Sequence, residues 1–439
     1  MKFTKFGKAL LISALSVGVV LGVSSCITSY TVGFLYVTGT VTAENTNLGI
    51  VSGYKIDHDT GRLQRINGLP VSSGGANPVR AVLTSGSRFL YVLNRGINAQ
   101  GGADCTADNP CQNSNITAFA VGGNGILTPQ MTFYPVGINP IRLIGDTSGN
   151  YVLALDQEAP SSAACQLALG PSVKTCGDVE VWKIDQNTGR LSLILNAQVT
   201  AANGKPLPYF PVPANPIDFV LAPGYVLTLS GTPESGDVVF PYTYTASSGQ
   251  LTLNQNGAQP LGIKQGTAIV NAASVIYVLD NEAPDPNPTS AASQILPFTV
   301  GTNGSLQAET GGIVPDTPTQ ANPIYLMVEE KGKFLYVANQ GNNVLGQNAQ
   351  SGIAGYFIVS SPSYQLQPTA PADFGTGAGP QCIVEDPSGQ YIYTANFNDS
   401  SITGRVVDPN SGVLGNLRVA STYAVNGPPT WCLVDGRTD

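Results

Sequence analysis

The stretch FLYVTG at residues 34–39 recurs six more times along this 439-residue chain, and this repetition decides the fold. The other copies are FLYVLN, YVLALD, YVLTLS, VIYVLD, FLYVAN and YIYTAN, which begin at residues 89, 151, 225, 275, 334 and 391. Short aromatic and apolar runs bounded by Gly, Pro, Asn and Asp are typical of β-strands. Successive copies begin 50 to 74 residues apart, a spacing that indicates the blades of a β-propeller.

Each copy lies inside a larger unit that repeats in the same order. An Asn-Pro pair and a short apolar run precede the copy, and a loop, a further strand and a Gly-x-Leu turn follow it. The Asn-Pro pairs begin at residues 77, 139, 215 and 322, and Gly379-Pro380 replaces them in the last unit. The unit near Gln265 departs most from this pattern. We predict an all-β fold, a seven-bladed β-propeller of four-stranded antiparallel blades.

The two ends of the chain complete one another in this interpretation. The first unit begins at Phe34 without a preceding inner strand, and residues 428–436 have the sequence of such a strand. We predict that the C-terminal strand completes the N-terminal blade, which leaves no long unpaired edge. The predicted domains are a signal peptide at residues 1–25, a short tether at 26–32 and one closed propeller at 33–439.

The N-terminal segment has the features of an export signal. Lys2, Lys5 and Lys8 precede an apolar run at residues 9–21 that is short for a membrane-spanning helix. Residues 23–26, VSSC, resemble the lipobox of bacterial lipoproteins, which implies cleavage before Cys26 and attachment of lipid to it. The alternative is an ordinary secretory signal. By the same resemblance, Ile27 favours the outer membrane, so we expect an exported protein anchored by lipid in the cell envelope.

The charge balance limits the partners. The net charge is −8, and removal of residues 1–25 takes away three lysines and no acids, which lowers it to −11. An acidic surface argues against nucleic acid and against anionic lipid. We therefore expect no nucleic-acid partner, membrane contact only through the lipid on Cys26, and a monomer.

Six cysteines remain when Cys26 is assigned to lipid, and an even number in an exported protein favours disulfides. We predict three sequential pairs, Cys105–Cys111, Cys165–Cys176 and Cys382–Cys432. The alternative for the last pair is two buried free thiols. The cysteine spacings match no zinc pattern and the chain has one histidine, so no metal site is expected from these residues.

Long loops are concentrated on one predicted face of the propeller, which we call the top face. They lie at residues 95–115, 157–178, 281–293 and 340–352, between the second and third strands of their blades. Extra loop length on one face is where binding usually occurs, so we expect function at the top face. The alternative is that the loops only cover the fold.

One position in each inner strand is predicted to lie near the mouth of the central channel, two residues after the opening proline. In the blades that follow the pattern it holds Arg80, Arg142, Asp218, Tyr325, Cys382 and Trp431. Two arginines can grip a carboxylate or phosphate through paired hydrogen bonds. We therefore predict that Arg80, Arg142 and Tyr325 bind substrate. The alternative is an Arg–Asp–Arg network that holds neighbouring blades together.

Two top-face loops open with similar acidic stretches, DQEAP at residues 156–160 and DNEAP at residues 280–284. Paired carboxylates suit a cation or acid–base chemistry. The candidate catalytic residues are therefore Asp156, Glu158, Glu282 and the channel residue Asp218. The alternative for the loop residues is structural, because aspartate caps strand ends and proline turns loops. His58 is expected in an exposed turn far from the top face.

The repeats resemble those of the seven-bladed lactonase family of 6-phosphogluconolactonase type and of the related YVTN-type propellers. The clearest carriers are NP with FLYVAN at residues 322–323 and 334–339, and DPSG with YIYTAN at residues 386–389 and 391–396. The resemblance covers nearly all of residues 33–439. It implies hydrolysis of a sugar lactone that is gripped by arginines and carboxylates. No cofactor is expected, and a bound divalent cation is left open.

The chain departs from the family pattern at the start of its inner strands. Family members commonly place histidine there, whereas this chain has Asn77, Asn139, Asn215, Asn322 and Gly379. Without histidine, a carboxylate or a metal would have to activate water. Two hypotheses follow: a sugar-lactone hydrolase acting at the top of the channel, or a non-catalytic propeller that binds a protein or glycan partner through its top-face loops.

Overall fold

Seven antiparallel sheets, each one blade, form the fold, and their inner strands contact one another in a closed ring. The computed structural model describes residues 30–41, 48–84, 86, 88–102, 105–106, 108–231, 236–254, 259–273, 275–281, 293–309, 314–315, 322–341, 351–359 and 364–436. The predicted all-β seven-bladed propeller is confirmed. Cys26, Glu282 and most of the loops at 281–293 and 340–352 lie outside the described residues.

The blades are numbered from the one that contains the first sequence repeat, and their strands are given from the channel outward. Blade 1 has β33 (Pro429–Asp435), β1 (Thr31–Val41), β2 (Leu48–Asp57), β3 (Leu63–Arg65) and β4 (Val71–Ala76). Blade 2 has β5 (Pro78–Leu83), β6 (Phe89–Asn94), β7 (Asn115–Val121) and β8 (Leu127–Phe133). Blade 3 has β9 (Ile138–Gly145), β10 (Tyr151–Glu158), β11 (Gly177–Ile184), β12 (Leu191–Leu193) and β13 (Phe210–Val212).

The remaining blades follow the same order. Blade 4 has β14 (Pro216–Ala222), β15 (Tyr225–Ser230), β16 (Asp237–Thr245), β17 (Gln250–Leu253) and β18 (Gln259–Ile263). Blade 5 has β19 (Gly266–Ala272), β20 (Val275–Asn281), β21 (Ser293–Val300), β22 (Leu306–Ala308) and β23 (Val314–Pro315). Blade 6 has β24 (Pro323–Val328), β25 (Phe334–Asn339), β26 (Gly352–Ile358) and β27 (Leu366–Gly375). Blade 7 has β28 (Pro380–Glu385), β29 (Tyr391–Asn396), β30 (Ser401–Val407), β31 (Leu414–Asn416) and β32 (Thr422–Ala424).

The fourth strand of each blade bends away from a straight course. In five blades it consists of two short pieces that both pair with the third strand. In blades 2 and 6 it is one strand with a register shift. Blade 5 has the inner strand that its sequence left in doubt, β19.

Short helical segments lie between strands. Helix α1 (Ser162–Leu169) is in the top-face loop of blade 3, where the Ser161 hydroxyl accepts the Ala164 N–H at 3.3 Å and caps the helix. A 3-10 turn covers Thr302–Gly304. Among the residues that the structure describes, no helix is long and apolar enough to cross a membrane.

The ring closes as the sequence predicts. Strand β33 pairs antiparallel with β1 and so provides the inner strand of blade 1. The disulfide Cys382–Cys432 joins the inner strands of blades 7 and 1, with Cα atoms 6.0 Å apart. The disulfides Cys105–Cys111 and Cys165–Cys176 are also formed, within the top-face loops of blades 2 and 3. All three predicted pairs are confirmed.

The hydrophobic core lies between the blades. It consists of seven main clusters, and each cluster combines buried side chains from two neighbouring blades, including blades 7 and 1. Each blade therefore buries both faces against its neighbours.

One type of contact repeats at these interfaces. It joins the second strand of one blade to the Gly-x-Leu turn of the next blade. The turn glycine has a positive φ, which is 70° at Gly189, and a Cβ there would lie 2.5 Å from Cδ1 of Phe89 in the preceding blade. The same close approach of an aromatic ring to a left-handed glycine occurs at Gly61–Tyr391, Gly125–Phe34, Gly249–Tyr151 and Gly412–Phe334. Glycine is required because only its backbone combines this conformation with this clearance.

A tyrosine hydroxyl reinforces four of these contacts by donating to the carbonyl of the same glycine. The pairs are Tyr36 to Gly125 at 2.8 Å, Tyr91 to Gly189 at 2.8 Å, Tyr336 to Gly412 at 2.9 Å and Tyr393 to Gly61 at 2.7 Å. In blade 6, which lacks the glycine, Tyr364 adopts φ 45° and its carbonyl accepts from Tyr277 at 3.0 Å. We call this repeated arrangement the tyrosine–glycine contact.

The contribution of this packing can be measured by comparing two glycines of similar conformation. Gly189 and Gly332 have φ of 70° and 68°, but a Cβ on Gly332 would meet nothing within 4 Å. Gly332→Ala is expected to cost only the left-handed backbone strain, about 1–2 kcal/mol. Gly189→Ala is expected to cost about 1–3 kcal/mol more, because the methyl group overpacks against Phe89.

Thermal unfolding of both variants followed by calorimetry checks this expectation. Equal destabilisation of the two variants would contradict the assigned role of the Gly189–Phe89 packing.

Candidate functional site

The candidate site depends on a left-handed backbone conformation at the start of the inner strands. Asn77, Asn139, Asn215 and Asn322 have φ between 50° and 57°, and Gly379 has φ 71° at the equivalent place. Asparagine and glycine are the residues that tolerate this left-handed conformation best. The left-handed backbone therefore explains why these positions hold asparagine.

A β-bulge lies at the start of the inner strand in every blade. The register of the inner strand against the second strand shifts between the opening residue and the residue two positions later. Bulges of this kind redirect side chains and are frequent beside functional sites. The positions that follow the seven bulges are Arg80, Arg142, Asp218, Ala268, Tyr325, Cys382 and Trp431.

Asp218 lies at the boundary between blades 4 and 3 and forms an ion pair with one of the two predicted arginines. Its Oδ1 is 3.0 Å from Nε of Arg142, and the two side chains are 13% and 19% exposed. Its Oδ2 accepts the Ile269 N–H of blade 5 at 3.2 Å. Asp218 thus links three consecutive blades through charge-assisted hydrogen bonds. The Arg142–Asp218 pair is one of the two ion pairs expected in an Arg–Asp–Arg network that holds neighbouring blades together.

Arg80 makes a different contact. Its guanidinium carbon lies 3.9 Å from the ring centroid of Trp431, and its Nη1 donates to the Val79 carbonyl at 2.8 Å. Trp431 in turn meets the ring of Tyr325 edge to face, with centroids 5.0 Å apart. The indole Nε1–H donates to the Ala81 carbonyl at 3.2 Å. Tyr325 belongs to blade 6 and Arg80 belongs to blade 2. Trp431 of blade 1 therefore contacts side chains from blades on both sides of its own blade.

We call Arg80, Arg142, Asp218, Tyr325 and Trp431 the channel cluster. Below Tyr325 and Trp431 a cavity of about 510 Å³ is lined mostly by the inner strands of blades 6, 7 and 1. The two aromatic rings form part of its wall, and Asp218, Arg80 and Arg142 do not line it. Trp431 was noted in the sequence only for its position, and its stacking on Arg80 could not be read there.

The charges of the channel cluster favour an anion. Burial and the positive charge of Arg142 lower the pKa of Arg80 to about 9, so Arg80 stays positive at neutral pH. Burial raises the pKa of Tyr325 to about 12, which keeps its hydroxyl protonated as a hydrogen-bond donor. The cluster contains two guanidinium groups and one carboxylate, Asp218, so its formal net charge is +1.

The predicted catalytic carboxylates in the loops lie elsewhere. Glu158 is half-buried at the end of β10, and burial together with Asp108 raises its pKa. The neighbouring residue Gln157 accepts from Arg95 at 2.7 Å, which ties the top-face loops of blades 2 and 3 together. Asp156 is fully buried. Glu282 is outside the described residues.

Asp156 belongs to a second group of acids that the sequence did not predict. It pairs across the sheet with Asp178, and Glu180 lies two residues further along β11. One carboxylate oxygen of each lies within 4.8 Å of the others, and all three residues are 0% exposed. Burial and mutual repulsion raise the pKa of Asp156 and Asp178, and burial raises that of Glu180 to about 7. The signal in the sequence was DVEVW at residues 178–182, with acids alternating with valines in a buried strand.

His58 lies where the sequence predicts, in the turn between β2 and β3. Its Nδ1 is 3.0 Å from Oδ1 of Asp59, and its side chain is 29% exposed. It has no place in the channel cluster.

Comparison with known proteins agrees with this fold. A family model described as lactonase, 7-bladed beta-propeller, matches residues 288–430. No curated protein sequence matches the chain. Similar solved structures include the periplasmic gluconolactonase PpgL of Pseudomonas aeruginosa, which is 18% identical with a TM-score of 0.62, the alignment covering 92% of this chain and 99% of that one.

A second similar structure is a Bacteroides fragilis protein provisionally assigned as a 6-phosphogluconolactonase. It is 16% identical with a TM-score of 0.62, and the alignment covers 92% of this chain and 98% of that one. At such identities the likeness establishes the propeller fold. The resemblance of the repeats to the seven-bladed lactonase family is confirmed by the family match and by this fold.

Proposed function

We propose that the protein hydrolyses a sugar-derived lactone that carries an anionic group, and that the channel cluster is its active site. The observation that carries this proposal is the ion pair of Arg142 with Asp218, together with a second arginine, Arg80, that interacts electrostatically with both groups. The match to the lactonase family and the likeness to the gluconolactonase of Pseudomonas aeruginosa support the choice of reaction.

The proposed reaction uses groups already in the cluster. Water attacks the lactone carbonyl, a bond forms between the water oxygen and the carbonyl carbon, and the ring ester C–O bond breaks. The proton of water passes to Asp218 Oδ2 and then to the leaving ring oxygen, which gives a hydroxy acid. The hydroxyl of Tyr325 stabilises the negative charge on the carbonyl oxygen, and the guanidinium of Arg80 binds the anionic group of the substrate.

The test is hydrolysis of a neutral and an anionic lactone, glucono-δ-lactone and its 6-phosphate, by the purified mature protein. Arg80→Ala is expected to lower kcat/KM for the phosphorylated lactone by about 10- to 100-fold, because a charge-assisted contact is lost. The loss for the neutral lactone should be smaller. Arg88→Ala is the matched control, since Arg88 is exposed and bonds to the Gln186 carbonyl.

Unchanged hydrolysis by Arg80→Ala, or equal losses for both lactones, would contradict the assignment of Arg80 to anion binding. No hydrolysis of either lactone by the wild-type protein would contradict the proposed activity itself.

Binding of a protein or glycan partner through the top-face loops is the second candidate function. It is favoured by the disulfides Cys105–Cys111 and Cys165–Cys176, which restrain two of these loops. Binding of a protein or glycan by the purified protein, without hydrolysis of either lactone, would support this second function.

We further propose that the protein is exported and held at the outer membrane by lipid on Cys26. The VSSC stretch at residues 23–26 and the periplasmic location in the name of the Pseudomonas aeruginosa protein support this. Cys26→Ser is expected to move the protein from the membrane fraction to the soluble periplasmic fraction. Continued membrane association of this variant would contradict the lipid anchor.

A further inference from the structure

The three buried acids of blade 3 form a compact group. Asp156 lies near the end of the second strand of the blade, and Asp178 faces it on the third strand. Glu180 points to the same side as Asp178 because it is two residues further on. Each side chain is completely inaccessible to solvent. Such a concentration of carboxylates in the interior needs compensation by protons, donors or a cation.

The donors present compensate only Glu180. Its Oε1 accepts the N–H groups of Val136 and Gly137, the latter at 2.9 Å, and its Oε2 accepts the indole N–H of Trp182 at 3.0 Å. In contrast, both carboxylate oxygens of Asp156 and both of Asp178 are buried without a hydrogen-bond partner. Within the described residues, no lysine or arginine forms an ion pair with the group.

The equivalent positions of blade 2 show what the fold itself requires. They hold Asn94, Asn115 and Thr117, and these neutral side chains satisfy one another. Asn94 Nδ2 donates to the Asn115 side chain at 2.9 Å and to the Ser73 carbonyl at 3.0 Å. The fold therefore needs polar groups at this place but not charged ones.

Blade 7 repeats the neutral arrangement. Asn396 Nδ2 donates to the hydroxyls of Ser401 and Thr403, each at 3.0 Å. In blade 5 a single acid, Asp280, is satisfied by the N–H groups of Gln265 at 2.7 Å and Lys264 at 3.2 Å. Among the described residues, blade 3 alone has an equivalent set that combines three carboxylates with four unpartnered oxygens.

We propose that Asp156, Asp178 and Glu180 bind one Ca²⁺ ion between blade 3 and the segment that connects it to blade 2. An all-oxygen, carboxylate-rich donor set suits a hard cation and not Zn²⁺, which prefers nitrogen and sulfur. Ca²⁺ fits better than Mg²⁺, because Mg²⁺ demands near-ideal octahedral geometry and retains water, whereas this group is shut off from solvent.

The connecting segment is shaped to leave room at the carboxylates. A Cβ on Gly137 would lie 2.5 Å from Cγ of Asp156, so a larger residue would press into the group. Gly137 stands two residues before the Asn139-Pro140 start of the inner strand that carries Arg142. The proposed ion is therefore structural, and it fixes the connection that leads to the channel cluster.

The test uses the full mature protein treated with EDTA and then titrated with CaCl₂ or MgCl₂. Calorimetric titration is expected to show one Ca²⁺ bound per chain. Ca²⁺ at a hundredfold excess over its Kd should raise Tm by about 3 °C, and Mg²⁺ should raise it less.

The informative variant replaces the three acids with the blade 2 residues, Asp156→Asn, Asp178→Asn and Glu180→Thr. It is expected to fold and to show no Ca²⁺-dependent change in Tm.

Asp280→Asn is the matched control, because it removes a buried acid at the equivalent position of blade 5. It should retain the one-to-one binding of Ca²⁺. An EDTA-treated wild-type protein that binds no Ca²⁺ and keeps its Tm would overturn the proposal and show that protons neutralise the group. Binding that is the same in the triple variant would also overturn it, because the ion would then lie elsewhere.

Discussion

The tyrosine–glycine contact between neighbouring blades is the interaction on which the rest of the structure depends. An aromatic ring at the start of the second strand packs on a left-handed glycine of the next blade, as at Phe89 and Gly189. A tyrosine two residues later donates to the carbonyl of that glycine. Four of the seven interfaces have both the ring contact and the tyrosine hydrogen bond, so this contact fixes how one blade packs on the next. The contact from Tyr393 to Gly61 joins blade 7 to blade 1 and closes the ring together with β33.

A closed ring of like blades brings one sequence position to the channel seven times. The left-handed residue and the bulge fix where that position lies, and they leave its side chain free to vary. Blade 7 uses it for the disulfide from Cys382, and blade 5 has alanine there. The other five blades supply the channel cluster. The backbone at this position is therefore the same in each blade, whereas the side chain differs, and the different side chains together form the channel cluster.

The architecture could be predicted from the sequence because its signals are local and repeated. Seven copies of one strand gave the blade number, and the missing strand before Phe34 predicted the closure by residues 428–436. The three disulfides followed from an even number of cysteines. Arg80, Arg142, Asp218 and Tyr325 could be placed near the channel because they share one position in the repeat.

The contacts of the site could not be predicted, because they depend on distances between blades. The stacking of Arg80 on Trp431 joins residues 351 positions apart in the chain. The grouping of Asp156 with Asp178 depends on the register of β10 against β11 across a loop that contains a helix. That helix, Ser162–Leu169, has two turns and too little periodicity to stand out from its loop.

The most direct test of the account is whether the channel cluster binds an anion at Trp431. Titration of the wild-type protein with 6-phosphogluconate, the product of the proposed reaction, should give a saturable change in tryptophan emission. The change should disappear in Trp431→Phe, which retains Trp182. Emission that does not respond in the wild-type protein, or that responds equally in Trp431→Phe, would contradict an anion site at the channel cluster.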